Sequence, residues 1–207
     1  MLKKPLIVGG LGNMGRRYTA VLRSLGVNPL ICDFGDEGNY IEYDFDSIII
    51  ATPTENHTKN CLDYLRLGRP VLCEKPLSKD IHEVAMLCEM AEQHELRFEM
   101  VNQYKYCKIY ESIGEDLTYY NYFQTGKDGL AWDCISIIAM AEFFPVIKND
   151  SPVWSCSING RELRREYMDQ AYVDMIEAWL HGDLIDCGTG YIRHAHQAVH
   201  NYIEATK

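Results

Sequence analysis

In this chain very short, mostly apolar runs take turns with stretches of helical period, and glycine or proline closes several of them. Leu6-Ile7-Val8, Leu30-Ile31-Cys32, residues 47–51 with Ile48-Ile49-Ile50, Pro70-Val71-Leu72-Cys73 and residues 96–101 read as five strands. Ile48-Ile49-Ile50 is too uniformly apolar for a sheet edge facing water. Between the strands, Met14, Tyr18, Val21, Leu22 and Leu25 recur at helical spacing and stop at Gly26. A second helix is expected over 57–67, with Cys61, Tyr64 and Leu65 on one side and Gly68 as its stop. In a third, Ser78 is expected to cap a helix carrying Ile81, Val84, Ala85 and Cys88, with Asp80 in the first turn. Buried strands separated by amphipathic helices predict an α/β domain over residues 1–103, a doubly wound parallel sheet covered on both faces.

The remaining half, residues 104–207, has another character. Residues 117–124 alternate and are aromatic-rich, residues 132–144 are apolar nearly all round, and residues 153–158 read as a further strand. Two helices, roughly 166–181 and 191–205, finish the chain. Two or three strands plus helices predict a small α+β domain. No apolar run approaches the ~18 residues a membrane span needs, and no signal-peptide core precedes Gly9-Gly10. The net charge is −10, with 20 basic against 30 acidic residues, so nucleic acid is not an expected partner. Eight cysteines are scattered without a Cys-x-x-Cys pair, which suits buried thiols in a reducing cytoplasm.

Gly10-Leu11-Gly12-Asn13-Met14-Gly15 forms a G-x-G-x-x-G between the first strand and the first helix. In that context Gly10 permits a tight turn, Gly12 lets the backbone approach a pyrophosphate, and Gly15 lets helix and strand pack closely. Asp33 closes the second strand, where a carboxylate can accept from ribose hydroxyls. It would repel a 2′-phosphate, so the expected cofactor is NAD rather than NADP.

From the third strand onward the chain reads Ile50-Ala51-Thr52-Pro53-Thr54-Glu55-Asn56-His57, then Gly68-Arg69-Pro70-Val71-Leu72-Cys73-Glu74-Lys75-Pro76. An A-T-P-x-x-x-H segment followed by G-x-x-V-x-x-E-K-P, after the glycine-rich turn, resembles the Gfo/Idh/MocA oxidoreductases. That family includes glucose–fructose oxidoreductase and inositol dehydrogenases. The resemblance covers about residues 4–105. It implies an NAD-dependent oxidoreductase acting on a sugar or sugar derivative. Thr52, Pro53 and His57 would then lie at the dinucleotide site, with Glu74 and Lys75 beside the nicotinamide. Gln103 and Lys105 fall where the family often has Asn-x-Arg facing the substrate. A lysine after a strand of an open parallel sheet stands at the crevice where ligands bind, and its ammonium can stabilise a developing alkoxide.

Alcohol oxidation also needs a proton acceptor. In the resembling family this is commonly a histidine four residues after an aspartate; here Asp133 is present but Ile137 holds the histidine place. Lys75 and Asp133 are the candidate catalytic residues, with Tyr104 or Tyr106 as possible substitutes. The alternative is a dinucleotide-binding or regulatory protein without turnover. His196 and His200 stand one turn apart, a spacing that can hold zinc, but they read as surface-helix histidines with no completing ligand, so no metal is expected. Family members usually run well past 300 residues. A chain of 207 therefore implies a complete cofactor half and a truncated substrate half, joined as a homodimer or higher homo-oligomer through a small aromatic sheet that includes Tyr119, Tyr120, Tyr122 and Phe123.

Overall fold

The computed structural model describes residues 1–33, 44–107, 120–123, 132, 135–140, 146–148, 155–158, 161–162, 165–184 and 187–205. Its first five strands are β1 (Pro5–Val8), β2 (Leu30–Cys32), β3 (Ser47–Ile50), β4 (Val71–Cys73) and β5 (Phe98–Met100). They pair in parallel in the order β2-β1-β3-β4-β5. The connecting helices are α1 (Asn13–Ser24), α2 (His57–Leu65) and α3 (Ile81–Gln93). The order reverses direction between β1 and β3, and at such a switch point the loops diverge and open a crevice at the carboxyl ends of the strands.

Side chains on a strand alternate between faces, and here each face meets a different set of helices. Ile7, Ile49 and Leu72 pack with Tyr18, Val21 and Leu22 of α1. Leu6, Val8, Ile48, Ile50, Val71 and Cys73 pack on the other face with Cys61 and Leu65 of α2 and Val84 and Leu87 of α3. This two-sided burial explains why the inner strands β1, β3 and β4 carry no polar alternation, whereas the edge strand β5 places Glu99 between Phe98 and Met100. It also explains the buried cysteines: Cys32, Cys61, Cys73, Cys88, Cys107 and Cys187 fill the interior as small hydrophobes. Burial pushes the Cys88 thiol up to about 12.

Both cores run past residue 103. Helix α5 (Arg165–His181) contributes Tyr172, Met175, Ile176, Trp179 and Leu180 to the face covered by α1. Helix α6 (Thr189–Ala205) contributes Ile192, Ala195 and Val199 to the opposite face. The backbone joins as well: Leu2 donates to the Leu180 carbonyl at 2.8 Å, and Met100 to that of Cys187 at 2.9 Å. The final two helices therefore complete the layers of the parallel sheet.

A second sheet, of four strands, takes the order β7-β6-β8-β9, with β6 (Tyr120–Phe123), β7 (Val146–Lys148), β8 (Ser155–Ile158) and β9 (Arg161–Glu162). The sequence led us to expect two or three strands; β7 and β9 are three and two residues long, too short to show alternation. Helix α4 (Ile135–Met140) packs on α6. One helix cap also differs from expectation. Asp80, not Ser78, is the N-cap of α3 and accepts from the His82 N–H at 2.8 Å. Ser78 stands two residues earlier, accepting from the Asp80 N–H and donating to Glu83.

Candidate functional site

Because all five strands of the first sheet are parallel, every loop that follows a strand leaves from the same edge. The glycine-rich turn, Asp33, Thr52-Pro53, Glu74-Lys75 and Asn102-Gln103 consequently gather there. Continuations of the ladder hold the loops close. Ala51 donates to the Val8 carbonyl, Glu74 to that of Ile50, and Val101 to that of Cys73.

The first loop turns at Gly9 rather than at Gly10. Gly9 has φ +81, and a Cβ there would lie 2.8–2.9 Å from backbone atoms of Ala51 and Thr52. Only glycine meets both demands cheaply. The Gly9 and Gly10 N–H groups donate to the Cys32 carbonyl at 2.9 and 3.0 Å, tying the turn to β2. A Cβ on Gly15 would stand 2.3 Å from the Gly9 carbonyl oxygen, so α1 lies directly against the turn. Leu11, Gly12 and Asn13 are exposed, and Gly12 caps α1 with no side-chain acceptor. No acidic residue occupies the first turn of α1. Its first N–H groups have no intrahelical acceptor, so a bare, electropositive helix start faces solvent. Asp33, at the end of β2, is half-buried.

After β3, Thr52 is half-buried and Pro53 exposed. The Thr52 hydroxyl accepts from Asn60 Nδ2 at 3.1 Å. His57 is buried, 1% exposed. Its Nε2 lies 2.8 Å from the Thr52 carbonyl and its Nδ1 2.8 Å from the Pro76 carbonyl, so the ring joins the loops after β3 and β4. A carbonyl can only accept, so both contacts are hydrogen bonds only when both ring nitrogens carry hydrogens.

After β4, Glu74 is buried and Lys75 half-buried. The Tyr18 hydroxyl of α1 donates to Glu74 Oε1, while the Lys75 N–H donates to Oε2 at 3.0 Å. Burial first, then the neighbouring Glu74 charge, raises the Tyr18 phenol well above its ordinary range, so it remains a donor. The Lys75-Pro76 peptide is cis. Gln103 and Tyr104 are buried, and Lys105 Nζ sits 5.4 Å from the centre of the Tyr191 ring of α6. Gln103 Oε1 is buried with no hydrogen-bond partner among the described residues.

The fold thus brings together Gly10, Leu11, Gly12, Asn13, Met14, Gly15, Asp33, Thr52, Pro53, His57, Glu74, Lys75 and Gln103 at one sheet edge; Lys105 follows in the turn after β5. Asp133 lies outside the described residues, and the side chain of Ile137 is not among those described. His196 departs from expectation. It is fully buried, and its Nε2 accepts from the Leu77 N–H at 3.2 Å. Two residues that the sequence reading did not single out, Tyr18 and Asn60, hold Glu74 and Thr52. A groove of about 410 Å³ that includes Arg17, Asp169 and Tyr172 is lined wholly from α1 and α5, with nothing from the strand ends. Among the described residues no His, Cys, Asp and Glu side chains assemble into a group able to hold a metal, and no helix is long and apolar enough to cross a membrane.

Residues 36–102 match the oxidoreductase family with an NAD-binding Rossmann fold, the Gfo/Idh/MocA family. A 37-residue stretch is 51% identical to inositol 2-dehydrogenase of Rhodococcus erythropolis; it is 18% of this chain and spans only 11% of that relative's length. Among solved structures, the chain is similar to a myo-inositol dehydrogenase from Corynebacterium glutamicum, with a TM-score of 0.75 at 13% identity over 99% of this chain and 96% of that one. It is also similar to the WlbA dehydrogenase from Thermus thermophilus in complex with NAD and UDP-GlcNAcA. There the TM-score is 0.71 at 15% identity, over 96% of this chain and 94% of the other. At these identities the likeness is one of fold.

Proposed function

We propose, from the match of residues 36–102 to the Gfo/Idh/MocA oxidoreductases, that this chain is an NAD-dependent dehydrogenase of a sugar or sugar derivative. The observation that carries the proposal is the gathering of the glycine turn, Asp33 and Glu74-Lys75 at the carboxyl edge of a single parallel sheet. The dinucleotide fits the residues present. Gly12 has no side chain above an exposed helix start, and the N–H groups there suit a diphosphate. The Asp33 carboxylate suits ribose hydroxyls.

In this reading Gly10 to Gly15 cradle the diphosphate, with Thr52, Pro53 and His57 forming the neighbouring wall. Bound NAD supplies the hydride acceptor. Lys75 Nζ donates to the reacting hydroxyl oxygen and stabilises the negative charge that grows there as the C–H bond breaks. The hydroxyl proton passes to the Asp133 carboxylate. Gln103 and Lys105 bind the polyol. We further propose that residues 1–103 with α5 and α6 form the cofactor body, that β6 to β9 with α4 form a substrate and oligomerisation unit joining a homodimer, and that the protein works in the cytoplasm.

Relatives that bind inositol or a nucleotide sugar support the substrate class. The test is calorimetric titration with NADH, then hydride transfer to NAD from a panel of inositols and UDP-sugars. Absence of NADH binding refutes the proposal. Ile137 favours a second reading, a cofactor-binding protein without turnover, because isoleucine carries no proton. Turnover abolished by Lys75→Ala would exclude that second reading.

A further inference from the structure

Two imidazoles from distant parts of the chain meet a single peptide group beside Lys75. The Pro76 carbonyl lies 2.8 Å from Nδ1 of His57, at the start of α2. The other polar edge of that group, the Leu77 N–H, donates to Nε2 of His196 in α6 at 3.2 Å. The Ser78 N–H approaches the same nitrogen at 3.5 Å. The C=O and N–H of a trans peptide point in opposite directions, so the rings approach from opposite sides. Both are buried, at 1% and 0% exposure. His196 Nδ1 lies 2.7 Å from the Ile192 carbonyl of its own helix, which places the hydrogen on Nδ1 and leaves Nε2 to accept. Trp132 packs at 6.0 Å from the His196 ring and at 5.4 Å, edge-on, from His200.

A peptide group held at both edges cannot rotate about its flanking bonds. Proline fixes the φ immediately before it. On the near side, the Lys75 N–H is held by a Glu74 carboxylate that Tyr18 secures in turn. A buried Leu77 N–H needs some acceptor, yet one acceptor would satisfy it without a second imidazole on the carbonyl. We propose that His57 and His196 are positioning residues that hold the Lys75 side chain at the crevice by gripping the Pro76–Leu77 peptide from its two edges. This rests on the assignment of Lys75 to the reacting centre.

The experiment compares His196→Leu, which removes the acceptor, with His196→Gln, which keeps one near the Nε2 position, and Val199→Ala, which loosens α6 alone. In His196→Leu, amide exchange at Leu77 accelerates at least about tenfold, and pulse acetylation of Lys75, read by mass spectrometry, accelerates severalfold. His196→Gln returns both toward wild type, and Val199→Ala moves neither. Faster Leu77 exchange with unchanged Lys75 acetylation would reduce His196 to a purely structural residue and overturn the proposal; so would unchanged Leu77 exchange. Should His196→Leu fail to fold, ring ¹⁵N shifts of His196 in the wild-type protein decide: a bare Nε2 is expected, and a hydrogen on Nε2 refutes the grip. NADH fluorescence titration of the wild type keeps the readings apart. No NADH binding with the Leu77 and Lys75 responses intact refutes the dehydrogenase and leaves the grip standing.

Discussion

The Tyr18 hydroxyl donates to the Glu74 carboxylate across 56 positions of sequence, joining the helix behind the glycine turn to the residue before Lys75. Both partners are buried, so neither exchanges its hydrogen bond for water.

Tyr18→Phe keeps the ring packed against Tyr172 and removes only the donor. A buried carboxylate oxygen then loses its partner, which costs about 1–3 kcal/mol. Urea unfolding should register that loss, and Glu74→Gln in the same background should recover part of it. A double mutant no more stable than Tyr18→Phe would argue against the pair.

Gly15→Ala sets two effects against each other. Alanine improves helix propensity by about 1 kcal/mol, but its Cβ would stand 2.3 Å from the Gly9 oxygen and 2.5 Å from Gly10 Cα. Neither backbone atom can swing away, and overpacking of this kind costs about 1–3 kcal/mol. The clash wins, and α1 moves off the turn. We expect a lower melting temperature together with weaker NADH binding by calorimetry; unchanged affinity would contradict the close approach.

His196 carries a pH signature. Burial lowers its folded-state value from 6.5 to about 4, with His200 adding to the shift. Above pH 6.5 folded and unfolded chains both hold the ring neutral. As pH falls from there toward about 4, the unfolded chain takes up a proton that the folded one refuses, and stability falls by up to about 1.4 kcal/mol per pH unit. The total is about 3 kcal/mol. Urea midpoints across this window should fall more steeply for wild type than for His196→Gln. Parallel slopes would remove His196 as the cause.

In the proposed site Asp33 would set cofactor choice. Asp33→Ser should weaken NADH by about tenfold, or 1.4 kcal/mol, and NADPH by less, because a repulsive carboxylate leaves with the attractive one. Calorimetry with both dinucleotides distinguishes this from a general loss of folding, in which both affinities fall together.

Most of the fold was legible because its strands punctuate the chain so clearly. Each of the first five expected strands matches an observed one within a residue or two, since a run such as Ile48-Ile49-Ile50 fits little else than a sheet covered twice. The helical period also placed Tyr18 on an inner face. What could not be read was the partner. Tyr18 meets Glu74 and His196 meets Leu77, 119 positions away, and no local pattern encodes either distance. By its polarity His196 reads as a surface residue, while its register on α6 sets it on the buried face with Ile192, Ala195 and Val199. The cap of α3 was misplaced because Ser78 and Asp80 both offer an acceptor, and only backbone geometry chooses between them. Gly9 was passed over because the motif begins at Gly10, although the left-handed residue precedes it.

The closure of the sheet by α5 and α6 has a consequence for how this protein comes into being. During synthesis the five parallel strands leave the ribosome well before the two helices that cover them. Until residues 165–205 follow, Ile7, Ile49 and Leu72 on one face and Phe98 and Met100 on the other lack part of their apolar cover. A nascent chain paused at that stage exposes sticky, half-dressed surface, the state from which aggregation begins. A chaperone that holds apolar segments would find its client in this interval, and release would come only when the tail had folded back over what was made first.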